Sequence, residues 1–261
     1  MRVLKLTVAY DGTRFVGWQR QAEGESIQGL LEDALARLEG AVVTVHGAGR
    51  TDAGVHALGQ VASVRVTCAH DATTLMRAIN AQLPRDIRVV DVAEAPPDFH
   101  ARFSARSKSY RYLLRSAPIA HPFERSYVWH LDERLDVDRM RDAAPSLVGT
   151  HDFAALHSTG SETTGTIRTV FRSALSVMEV GQAFSGSPRR PDRSAPLLAY
   201  EITGDGFLRH MVRAIVGTLV EIGRGSRPTA SMADLIAGGR RADAGATAPA
   251  HGLFLVRVDY D

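Results

Sequence analysis

Residues 47 to 60 read GAGRTDAGVHALGQ, and one aspartate, Asp52, stands in the middle of the stretch with Arg50 just before it. Glycines at 47, 49 and 54 permit positive φ and the close approach of another backbone. A tight connection between two strands would need nothing more. The Arg-Thr-Asp core asks for a further reason. An aspartate in such a loop either closes an Asx turn or, held ionised and oriented, serves as a nucleophile or base. The loop residues alone leave both readings open. A second segment bears on the choice. Residues 206 to 225, GFLRHMVRAIVGTLVEIGRG, form an apolar helical pattern with Arg213 inside it. A buried arginine requires a carboxylate partner. Pairing with Asp52 would supply one, and would lower the pKa of that carboxylate.

Other chemistries find less support. Ten histidines are scattered without an HExxH or a Cys/His cluster, and the single Cys68 excludes an internal disulfide and a Cys-rich zinc site. No metal is expected. GAGRTDAG lacks the GK[ST] ending of a phosphate loop. It is also not a GxGxxG opening a long helix, because residues 60 to 66 alternate like a strand. His56 and Gln60 are read as hydrogen-bonding braces of the loop.

The elements that must position these groups follow from periodicity and caps. Strands are predicted at 3–10, 42–45, 60–66 and 87–92. Helices are predicted from the Ser26 cap through Leu38, and from the Asp71 cap to a stop before Pro84. The first hundred residues thus read β-α-β-β-α-β, a ferredoxin-like order. The connecting loop YDGTRFVGWQRQ carries Phe15 and Trp18, read as exposed, with Trp18 serving packing rather than base stacking. The second half reads as strands at 109–115 and 127–131, a helix at 136–147, strands at 170–180 and 197–203, helices at 207–222 and 232–237, and a strand at 254–260. Residues 182–196, rich in Gly, Ser, Pro and Arg, are read as a flexible hairpin extension whose Arg189, Arg190 and Arg193 either touch RNA backbone or stay solvated, with solvation preferred. Two halves, 1–104 and 105–261, are expected.

Composition is that of an ordinary globular protein, 44% hydrophobic and 23% charged, with a net charge of +2. The basic residues are nearly all arginine; the lysines are Lys5 and Lys108. Arg102, Arg106, Lys108, Arg111 and Arg115 cluster, and tyrosines interleave them in SKSYRYLLR, a pattern that favours nucleic acid. No apolar run reaches membrane-spanning length, the nearest being broken by Arg213, Gly217, Thr218 and Glu221. MRVLKLTVAY lacks a signal-peptide core. A soluble cytoplasmic protein is expected.

Five ordered blocks carry a resemblance: YDGTRFVGWQRQ, GAGRTDAGVHALGQ, FHARFSARSKSYRY, GFLRHMVRAIVGTLVEIGRG and AHGLFLVRVDY. Together they resemble the tRNA pseudouridine synthase A family. The resemblance implies an α+β pseudouridine synthase fold, two ferredoxin-like halves forming one continuous, mostly antiparallel sheet with a central RNA-binding cleft. It implies isomerisation of uridine to pseudouridine at positions 38, 39 and 40 of the tRNA anticodon stem-loop, without cofactor or metal, by a homodimer. Carried over by position, Asp52 is the nucleophile, Arg213 its ion-pair partner and Arg50 the residue that fills the space of the flipped base. Tyr110 and Leu253 hold the uracil, with Tyr112 expected to face away from Tyr110.

Overall fold

The computed structural model describes residues 1–158, 165–178 and 196–260. The chain forms two compact units, Met1–Lys108 with Phe254–Asp261, and Ser109–Leu253.

The first unit is built from β1 (Arg2–Tyr10), α1 (Ile27–Glu39), β2 (Val45–Gly47), β3 (His56–Val66), α2 (Ala72–Gln82) and β4 (Ile87–Ala95). β1 lies between β4 and β3, antiparallel to both, with Leu6 opposite Val92 on one side and Ala62 on the other. β2 pairs antiparallel with β3. The resulting order, β4-β1-β3-β2, is that of a ferredoxin-like βαββαβ unit. Alternation along β1 buries Leu4, Leu6, Val8 and Tyr10 on one face. The helices start where the caps predict. Ser26 accepts from Gly29 N at 3.2 Å, and Asp71 from Thr74 N at 3.0 Å. α1 stops at Gly40, whose φ of 71° is a left-handed helix end. α2 stops before Pro84, with Leu83 turned to extended backbone.

Two expectations fail here for one reason. Phe15 and Trp18 are not exposed; each keeps only 3% of its surface. The loop after β1 folds back, Trp18 N donates to Thr51 O at 3.0 Å, and the indole occupies the place of a side chain at Gly47. A Cβ there would come within 2.4 Å of the ring. Gly47 therefore makes room rather than a turn. Of glycines 47, 49 and 54, Gly54 alone has positive φ, 78°. The short strand expected at 42–45 lies slightly later, at Val45–Gly47, and so leads straight into the Asp52 loop.

The second unit holds β5 (Ser107–Ser116, entering from the first), β6 (Trp129–Leu131), α3 (Val137–Ala143), β7 (Gly149–Asp152), β8 (Ile167–Met178), β9 (Leu197–Gly204), α4 (Met211–Gly223) and α5 (Ser231–Ile236). The strands run in the order β5-β9-β8-β7, with β6 parallel to β5. β8 is antiparallel to β7 and β9, Leu175 standing opposite Tyr200. The helix expected over 136–147 breaks after Ala143 into a tighter 3₁₀ turn containing Pro145, which has no amide hydrogen to continue an α-helix. The helix expected from Phe207 begins only at Met211, because His210 adopts φ 62°. Residues 182–195, most of the proposed hairpin extension, lie outside the described residues. α4 is buried nearly all round, and Gly217 packs so closely on Ala246 that a Cβ would sit 1.7 Å from its carbonyl oxygen.

β10 (Leu253–Asp259) closes the order of elements. From Phe254 onward it belongs to the first unit, parallel to β3 with Phe254 opposite His56. The α+β class and the predominance of antiparallel pairing agree with the sequence reading.

Candidate active site

The Asp52 loop is the connection from β2 to β3, and it is held at nearly every residue. Ala48 N donates to Val61 O at 2.8 Å, which extends the strand ladder into the loop. Gln60 Nε2 donates to Gly49 O at 2.8 Å. The Thr51 hydroxyl shares a 2.8 Å hydrogen bond with the Tyr10 hydroxyl. Val55 N closes a turn onto Asp52 O at 3.1 Å. His56, buried, accepts from Gly12 N through Nδ1 at 3.0 Å, and the Phe254 ring stacks on it at 4.7 Å. Both His56 and Gln60 act as the braces the sequence suggested.

These anchors sort the three residues of the Arg-Thr-Asp core. Thr51 points inward and is 7% exposed. Its neighbours on either side are less buried: Arg50 is exposed and Asp52 half-buried. The buried Tyr10–Thr51 hydrogen bond is the part of this support that sequence reasoning missed. The one available signal was Tyr10 at the end of an alternating strand, directly before the loop that covers Thr51. Burial pushes the Tyr10 hydroxyl up to about 12, against the opposing hydrogen bonds of Thr51 and Gln60.

The remaining predicted site residues belong to the second unit. Tyr110 on β5 is buried, edge-on to Phe207 at 5.1 Å. Tyr112 does not face away from it. Spaced by two on a strand, Tyr110, Tyr112 and Leu114 share the buried face. The Tyr112 hydroxyl donates to Pro249 O at 2.8 Å, and its ring fills the space a side chain would need at Gly252. Arg213 and Glu221 are the two half-buried residues of α4, which is otherwise buried. Arg213 Nε donates to Ala248 O at 2.7 Å, while Ala248 N donates to Arg213 O at 3.1 Å. The Arg213 cation acts on two neighbours. Burial raises the Tyr112 hydroxyl pKa well above its ordinary value, and the cation opposes that rise. Burial lowers the His251 pKa, a backbone hydrogen bond at Val128 opposes that, and the cation adds to the lowering. Leu253, 6% exposed, follows directly at the start of β10.

The structure thus gathers Asp52 and Arg50 on one braced connection of the first unit. It gathers Arg213, Tyr112, His251 and the chain leading to Leu253 in the second, with Tyr110 beside Phe207. Among the described residues there is no group of three His, Cys, Asp or Glu side chains that could hold a metal ion, and no helix long and apolar enough to cross a membrane.

Comparison with known proteins adds what geometry does not contain. A family model described as tRNA pseudouridine synthase matches residues 6–104 and 143–261. The tRNA pseudouridine synthase A of Syntrophotalea carbinolica is 42% identical over 260 residues, spanning all of this chain and 97% of its own. That of Geotalea uraniireducens is 41% identical with complete coverage of both chains. That of Chloroflexus aurantiacus is 44% identical, spanning all of this chain and 89% of its own. With the Arg-Thr-Asp loop and the arginine-bearing helix inside the regions the family model matches, and the whole chain covered by the relatives, the chain belongs to the tRNA pseudouridine synthase family.

Proposed function

We propose that this enzyme, an isomerase of tRNA uridine, acts at positions 38, 39 and 40 of the anticodon stem-loop with Asp52 as its nucleophile. The observation that carries this reading is the bracing of residues 48 to 56. It turns Thr51 into the core and anchors the backbone on both sides of Asp52. Preorganisation of that kind is what a reacting group requires.

The reaction balances without a co-reactant. The bond between uracil N1 and ribose C1′ breaks, the base rotates, and C5 bonds to C1′. The C5 proton is lost while N1 gains one, so the product is an isomer with no net oxidation. A carboxylate can assist by adding to uracil C6 or by acting at ribose C1′. In this reading Arg213 pairs with Asp52 and keeps it ionised, and Tyr110 and Leu253 hold the uracil between them. A uridine in the stem must leave its stack at a cost of a few kcal/mol, and Arg50 occupies the space left behind. The enzyme works as a homodimer in the cytoplasm.

The test is to incubate the purified protein with unmodified tRNA, without added cofactor, and to map pseudouridine. Modification at positions 38 to 40, lost in Asp52→Ala, supports the reading. Modification elsewhere, or full turnover by Asp52→Ala, refutes it.

A further inference from the structure

The surface of the first unit carries an aromatic file that the proposed chemistry does not use. His46 on β2 lies tilted against His100, ring centroids 4.9 Å apart and planes 32° from parallel. His100 lies tilted in turn against Phe103, at 4.4 Å and 36°. The Arg102 guanidinium lies over the Phe103 ring, 5.6 Å from its centroid. Phe103 is 77% exposed, and His46 and Arg102 are exposed beside it.

The segment that presents Phe103 is held firmly. Phe99 N donates to Pro96 O at 2.9 Å, and Ser104 N to His100 O at 2.9 Å. His100 Nδ1 accepts from Arg102 N at 3.1 Å. Ala101 is fully buried, its N–H donates to Ser63 Oγ at 3.0 Å, and its carbonyl accepts from the Tyr260 hydroxyl at 2.8 Å. A turn fastened to β3 and to the end of β10 therefore holds a large apolar ring out in water. Burying Phe103 would stabilise the unit, and nothing in its packing requires the ring to stand outside.

We propose that His46, His100 and Phe103 form a stacking platform for an unpaired nucleotide of the tRNA, distinct from the uridine that is isomerised, with Arg102 and Arg106 neutralising its phosphates. RNA is the occupant because aromatic faces interleaved with arginine planes are how proteins hold splayed single-stranded bases. A protein-docking surface would set several apolar side chains together, whereas Phe103 is the one large apolar side chain exposed on this turn. The spacing also fits. His46 and Asp52 are six residues apart, so their backbones lie within about 20 Å of each other, a few nucleotides along one strand. The inference rests on tRNA as the substrate and not on Asp52 as the nucleophile.

The experiment measures tRNA affinity, its salt dependence and the turnover rate at saturating tRNA for Phe103→Ala, Phe103→Leu and Phe103→Trp. Phe103 is exposed, so all three fold, as melting curves will show. Stacking on one base predicts about 5- to 100-fold weaker binding for both Phe103→Ala and Phe103→Leu. Salt slope and saturated rate stay unchanged, because no phosphate contact and no reacting group is lost. Phe103→Trp binds as tightly as the parent, and its added fluorescence is quenched by tRNA. Unchanged affinity in Phe103→Ala, parental affinity in Phe103→Leu, or an unquenched tryptophan each overturns the platform. A failed Asp52 reading appears instead as turnover in Asp52→Ala, with these affinities unaffected.

Discussion

The hydrogen bond between Tyr10 and Thr51 joins the core of the first unit to the residue next to Asp52, and Tyr10→Phe tests what that bond does. Tyr10 is 4% exposed and Thr51 7%. Phenylalanine keeps the packed ring but leaves the Thr51 hydroxyl buried without its partner, which costs about 1–3 kcal/mol. Thr51→Val makes the reciprocal loss. The double variant removes both polar ends, so its destabilisation is expected to fall about 1 kcal/mol short of the summed single losses. Urea unfolding at constant m-value reads these differences as shifts in midpoint. The consequence for catalysis is separate. With Thr51 released, the backbone at Asp52 loses an anchor, and on the proposed reading of Asp52 as nucleophile a displacement near 1 Å costs up to about 100-fold in rate. Single-turnover pseudouridine formation with pre-bound tRNA is therefore expected to fall far more than tRNA affinity. The pH profile gives a third check. The Tyr10 hydroxyl ionises near its ordinary value in the unfolded chain and at about 12 in the folded one. The stability linked to that raised pKa is full below pH 10 and is lost as pH rises through 12. Tyr10→Phe removes that part of the alkaline loss. Additive single losses together with an unchanged single-turnover rate would refute the positioning argument.

Asp52→Ala is expected to abolish pseudouridine formation while leaving tRNA binding, which rests mainly on phosphate contacts, little changed; equilibrium binding beside modification mapping separates the two. Gly217→Ala places a Cβ 1.7 Å from Ala246 O, so α4 must shift, and a loss of about 1–3 kcal/mol is expected in thermal unfolding; an unchanged melting temperature contradicts the packing. Burial pushes the Glu39 carboxyl up, but hydrogen bonds from the Cys68 and Thr67 side chains and amides outweigh it and hold the group at about 2. That stability is present above pH 4.5 and lost as pH falls toward 2, and Glu39→Gln should flatten this part of the acid unfolding curve.

What the sequence discloses here is local. The caps at Ser26 and Asp71 and the alternation of β1 are written in adjacent residues, and the elements they predict are observed. The Arg-Thr-Asp core attracts notice because three polar residues interrupt a run of glycines. The support beneath it does not, since Tyr10 is 41 residues from Thr51 and their contact exists only once β1 and the loop are assembled. Trp18 fails in the same way. Its burial depends on a missing Cβ at Gly47, in a segment that reads as a turn. The late start of α4 depends on the left-handed backbone of His210, a residue type that does not announce such a conformation. β7, with sequence GTHD, has no apolar alternation to mark it.

The membership of β10 in the first unit has a consequence for the order in which this protein can be made. Residues 1 to 95 contain a whole βαββαβ sequence, yet the strand that lies parallel to β3 arrives only after all of Ser109–Leu253 has been synthesised. Until then His56 lacks the ring of Phe254 on its face, and Gly59 lacks the backbone of Val256 packed against it. The anchor point of the Asp52 loop on β3 therefore stays half-covered through most of translation. A nascent chain halted before residue 254 would lack the strand that pairs with the start of β3, next to the Asp52 loop, so completion of synthesis is itself a condition for the loop to be set.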